Sequence, residues 1–64
     1  MVRIRVLNEK GHEEMELSQG KAVEYIQQQI ATGKWAFVDG MFQPKVEVLE
    51  DTAEVVITMK LMGG

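Results

Sequence analysis

A chain of 64 residues with 45% hydrophobic and 27% charged side chains has the composition of one small folded domain, not of a disordered segment. At this size folding buries only about 60% of the surface that the unfolded chain exposes, and with no cysteine neither disulfides nor thiolate-bound metal brace the core. A net charge of -3 argues against a nucleic-acid partner, which calls for a basic stripe, and no apolar run approaches the roughly 20 residues that span a bilayer.

Val2, Ile4 and Val6 alternate with Arg3 and Arg5, the period of two of a strand with one buried face, and unlike a signal peptide. Asn8-Glu9-Lys10-Gly11 supplies turn residues that tolerate positive φ, so a hairpin is expected. The return, residues 12–17, sets Met15 and Leu17 against Glu14 and Glu16, which predicts Arg–Glu pairs across the polar face of the hairpin. Ser18 offers an N-cap hydroxyl. Over residues 19–32, Ala22, Val23, Ile26 and Ile30 recur at helical spacing, with Lys21, Glu24, Gln27 and Gln28 facing elsewhere.

Gly33 marks the helix end, with Lys34 suited to the negative end of its dipole. Residues 35–38 form a short aromatic and β-branched strand closed by Asp39-Gly40, a two-residue hairpin signal, and Met41-Phe42 begins the return. Pro44 borders that return. Residues 45–49 alternate Val46 and Val48 with Lys45 and Glu47 and read as a strand. After Glu50-Asp51-Thr52, residues 53–61 read as the longest strand, with Val55, Ile57, Met59 and Leu61 on one face. Val56 on its other face fits a strand in the middle of the sheet.

This order of elements is α+β, a single domain in which one helix covers one face of a mixed sheet. The most regularly apolar strands, the first and the last, are expected side by side and parallel at the centre, with the helix crossing over them. A β-meander plus helix, closed by a hairpin at residues 50–52, is the alternative.

Two stretches, Phe37-Val38-Asp39-Gly40 and the ending Val55-Val56-Ile57-Thr58-Met59-Lys60-Leu61-Met62-Gly63-Gly64, together with the element order, resemble the ubiquitin-like β-grasp family. The likeness is to ubiquitin and to the small sulfur carriers of thiamin, molybdopterin and tRNA-thiolation pathways. It covers the whole chain and implies a strand-strand-helix-strand-strand-strand β-grasp domain over residues 1–61, with a flexible Gly-Gly tail at residues 62–64. It further implies that an ATP-dependent adenylating enzyme activates Gly64. The end is then thiocarboxylated for a sulfur-using protein or joined to a lysine of an acceptor, so the chain is not itself an enzyme. Residues without Cβ, as at Gly63 and Gly64, thread a narrow site and allow close approach to the reacting carbonyl. Lys60 and Met62 on the tail, and Trp35 and Phe42 on the domain, are the candidate partner-binding residues. Met62 replaces the second basic residue of ubiquitin's ending, which argues against ubiquitin's own activating enzyme.

Other features read as structural. His12, the sole histidine, is a solvated hairpin residue without the companions of a metal site or catalytic base. Glu13, Glu14 and Glu16 form a wet strand face, and Ser18 lacks a neighbouring base. Trp35, Phe37 and Phe42 are either closure of the core at the sheet edge or an exposed binding patch. The expectation is a cytoplasmic monomer that needs no cofactor or metal, contacts neither nucleic acid nor membrane, and works through protein partners. A non-catalytic protein-binding or accessory module with an incidental Gly-Gly is the competing function.

Overall fold

The computed structural model describes residues 1–59. Strands β1 (Val2–Asn8) and β2 (Gly11–Leu17) precede the helix α1 (Gln19–Ala31), which is followed by β3 (Trp35–Val38), β4 (Met41–Gln43) and β5 (Glu54–Thr58). The strands form one mixed sheet in the order β2-β1-β5-β3-β4. β1 and β5 run parallel, and every other neighbouring pair is antiparallel. The parallel central pair is the arrangement expected from the apolar regularity of these two strands. It excludes the meander, in which the last strand would return beside residues 45–49.

Both hairpins close as their turn residues dictate. Asn8 pairs with Gly11 across Glu9-Lys10, and the Asn8 side-chain oxygen accepts the Lys10 N–H at 2.8 Å, a local bond that favours the reversal. In the second hairpin Asp39 and Gly40 stand at φ 50° and 83°, the mirror-image turn whose twist matches that of the strands.

α1 ends in a Schellman motif. Gly33, at φ 93°, donates its N–H to Ile30 O, and Lys34 donates to Gln29 O, satisfying carbonyls that the last turn leaves open. Ser18 departs from expectation. Its backbone oxygen accepts the Ala22 N–H at 2.8 Å, but its hydroxyl makes no capping hydrogen bond.

The core lies between α1 and one face of the sheet. Val2, Ile4 and Val6 of β1, Ala36 of β3, and Val55 and Ile57 of β5 meet Ala22 and Ile26 of the helix, with Val23, Tyr25 and Ile30 packed at its margin. Val46, Leu49 and Ala53 complete it.

Two expectations are corrected here. Residues 45–49 are not a strand. Val46 and Leu49 are buried while Val48 is 83% exposed, so burial follows a spacing of three and four (Val46, Leu49, Ala53) and not of two. Two glutamines of α1 hold this segment against the helix: Gln27 Nε2 donates to Val46 O at 2.8 Å and Gln19 Nε2 to Leu49 O at 2.9 Å. Backbone carbonyls that a strand would direct to a neighbouring strand are thereby satisfied by side chains.

The last strand, expected over residues 53–61 and as the longest, spans Glu54–Thr58 among the described residues and is shorter than β1 and β2. Its final rung pairs Thr58 with Trp35. Trp35 is the first residue of β3, and Gly33 and Lys34 before it belong to the helix end. Met59 lies beyond that rung and is 50% exposed, not packed beside Val55 and Ile57. Leu61 and the expected tail at residues 62–64 lie outside the described residues.

Candidate functional surface

With α1 on one side, the sheet presents its other face to solvent, and strand parity decides what stands there. Arg3, Arg5 and Leu7 of β1 are on this face, with Glu14 and Glu16 of β2 opposite the arginines in register. Glu54, Val56 and Thr58 of β5 follow, then Trp35 and Phe37 of β3, and Phe42 of β4 opposite Phe37. The face divides into a charged half and an aromatic half.

In the charged half Arg5 Nη2 donates to Glu14 Oε1 at 3.0 Å. Arg3 lies between Glu16 and Glu54, with Nη–Oε separations of 3.9 and 3.8 Å. The Arg5–Glu14 and Arg3–Glu16 pairs are the cross-hairpin pairs that the alternation of residues 3–5 and 14–16 predicts, and Arg3–Glu54 is added by β5. All are well exposed, so each contributes little to stability in salt. The hydrogen bond from Arg5, and then its positive charge, hold the Glu14 carboxyl below the usual carboxylate range.

In the aromatic half Trp35 and Phe42 meet edge to face, with ring centroids 5.5 Å apart and planes at 60°. Phe37 and Phe42 lie 5.7 Å apart at 57°. These rings are on the solvent side of the sheet and outside the buried cluster. Trp35 and Phe37 are half-buried and Phe42 is 49% exposed. They close the open face rather than the core. The Asp39-Gly40 turn brings them together, because a two-residue reversal places Phe42 directly across from Phe37.

At the end of the sheet where β5 finishes, Leu7, Phe37, Thr58 and Met59 line a shallow and largely apolar hollow with Asn8 and Glu9. Leu7 was missed in the sequence. Its signal was parity: it occupies the phase of Arg3 and Arg5, which puts it on the open face beside the aromatic half.

Of the candidate partner-binding residues, Trp35 and Phe42 are thus in contact on this surface. Lys60, Met62, Gly63 and Gly64 lie outside the described residues. His12 is exposed on β2 opposite Leu7. Among the described residues no group of three or more His, Cys, Asp or Glu is placed to hold a metal ion, and no helix is long and apolar enough to cross a membrane. Comparison of the chain with family models, with curated proteins and with solved structures yields no match.

Proposed function

We propose that this chain is a ubiquitin-like carrier: a β-grasp recognition domain whose Gly64 carboxylate is the reacting group. In this reading a partner adenylating enzyme grips the aromatic half of the open sheet face. The Gly64 carboxylate attacks the α-phosphorus of ATP, pyrophosphate leaves, and the resulting acyl-adenylate is attacked by a sulfur donor or a lysine amine, releasing AMP. The domain contributes recognition and a reactive end.

The observation that supports this reading is the position of β5. It lies between β1 and β3 in the interior of the sheet, and its end, Thr58-Met59, borders the hollow formed with Leu7 and Phe37. A partner seated on the exposed aromatics is then within a few residues of Gly63-Gly64, since an extended chain advances about 3.3–3.6 Å per residue.

The Trp35–Phe37–Phe42 cluster on the open face also favours a second reading, a docking module in which Gly63-Gly64 takes no part, because that surface does not depend on the terminal glycines. Intact-mass spectrometry of the protein from its native cells separates the two. The carrier is expected to show the mass gain of one oxygen exchanged for sulfur at the C-terminal carboxyl, or a Gly-Gly remnant on an acceptor lysine. A plain carboxylate at Gly64 under every growth condition, or further residues beyond Gly64 in the mature protein, counts against the carrier and leaves the docking module.

A further inference from the structure

The turn between β3 and β4 holds the one aspartate of the chain that is followed by glycine, Asp39-Gly40. A glycine amide nitrogen is unhindered by a Cβ and is the main-chain nucleophile best able to reach the preceding aspartyl side chain. Asp39 is exposed and stands at φ 50°. β5 grips it at two points: the Asp39 N–H donates to Glu54 O at 2.8 Å, and Asp39 Oδ1 accepts the Glu54 N–H at 3.0 Å.

We propose that Asp39 is a backbone-isomerisation site gated by its two-point contact with Glu54. In the reaction the Gly40 nitrogen attacks Cγ of the neutral Asp39 carboxyl. The N–Cγ bond forms, the Cγ–OH bond breaks, and the hydroxyl leaves with the amide proton as water. Water then adds to the main-chain carbonyl carbon of the five-membered imide and breaks its bond to the Gly40 nitrogen. Gly40 is left joined through Cγ, an isoaspartyl linkage; addition of water at Cγ instead restores Asp39. Water is the only co-reactant, and no electron is transferred.

Cyclisation needs Cγ to swing onto the Gly40 nitrogen, whereas the Glu54 N–H holds Oδ1 on the neighbouring strand. The turn must therefore come off β5 before the ring closes. β3 and β4 are short, and β4 is an edge strand of the sheet, the kind of element that opens locally at low cost. An isoaspartyl linkage adds one methylene to the main chain within a two-residue loop. The Val38–Met41 rung then loses its register, and Phe42 is withdrawn from Trp35 and Phe37. The reaction thus acts on the aromatic half of the open face.

The test is to incubate the full chain in warm neutral buffer, with and without unfolding concentrations of urea, and to quantify isoaspartate at residue 39 by fragmentation that distinguishes the two linkages. The native chain is expected to react at least about tenfold more slowly than the unfolded one, as a site protected by local structure should. Glu54→Pro deletes the donor N–H at the first residue of β5, where proline is tolerated, and should raise the native rate. If that variant does not fold, a sub-denaturing urea series on the unaltered protein replaces it. A rate that rises with hydrogen exchange of the Asp39 amide supports the gate, and a rate that ignores it overturns it. Equal rates in the native and unfolded chains, or no isoaspartate at residue 39 in the unfolded chain, also overturn the proposal.

Discussion

The two faces of this sheet are built from the same strands, one residue out of phase, and differ in what meets them. Ile4, Val55 and Ile57 point at α1 and are buried. Arg5, Val56 and Phe37, aligned across β1, β5 and β3, point to solvent. The covered face carries the stability of the domain, because removing apolar area from water is the main favourable term for so small a chain. The open face can vary its chemistry from charged to aromatic at small cost to the fold, which is what the proposed recognition of a partner requires.

The sharpest way to break this contrast is the same kind of truncation on each side. Ile57→Ala should cost about 2–5 kcal/mol by leaving a cavity under the helix, a large part of the stability of a domain this size, read as a fall in the urea midpoint. Phe42→Ala gives up one partner in two ring contacts and should cost about 1–2 kcal/mol, while shifting the emission of Trp35. Equal losses at the two positions would remove the distinction between a structural and a presenting face.

A second pair tests the segment that joins β4 to β5. Val46→Ala should cost about 1–3 kcal/mol, because its side chain is in the core. Val48→Ala should stay within about 0.5 kcal/mol. Thermal melts of the two variants decide it, and similar losses would restore a strand with both valines in equivalent surroundings.

The contrast between these valines shows where the sequence was legible. Strands with an unbroken period of two and a recognisable turn, as in Val2, Ile4 and Val6 leading to Asn8 and Gly11, could be read with their partners and even their charge pairs. The helix was equally plain, because Ala22 and Ile26 repeat at one spacing and Gly33 ends it. Residues 45–49 imitate a strand for three positions. Their true constraint is the pair of side-chain hydrogen bonds from Gln19 and Gln27, and no local pattern announces those. The extent of the last strand was misread for a related reason. The described ladder between β3 and β5 ends at Trp35, where β3 begins, and the residues before it, Gly33 and Lys34, belong to the helix end. At the open face, the pairing of Phe37 with Phe42 follows from the Asp39-Gly40 turn, but the diagonal contact of Trp35 with Phe42 and the hollow at Leu7 and Met59 needed the three-dimensional arrangement of the strands.

The smallest expected effect lies in the charged half. Glu14 titrates below the ordinary carboxylate range when folded because Arg5 donates to it. Its contribution is therefore present above the unfolded pKa and is lost as pH falls through the lower folded value. Carboxyl NMR titration of the folded protein should place Glu14 below the ordinary glutamate value, and Arg5→Met should return it toward that value. No change on that substitution would mean that Arg5 is not the cause.

The claim that matters most is that Gly64 is the reacting end and the folded domain its handle. Its most direct test is removal of Gly63 and Gly64, followed by assay for adenylate or thioester formation with the partner adenylating enzyme, alongside a urea melt. The carrier account predicts an unchanged melt, because the buried core found among the described residues runs from Val2 to Ile57, and complete loss of activation. Activation that persists without the two glycines would contradict it.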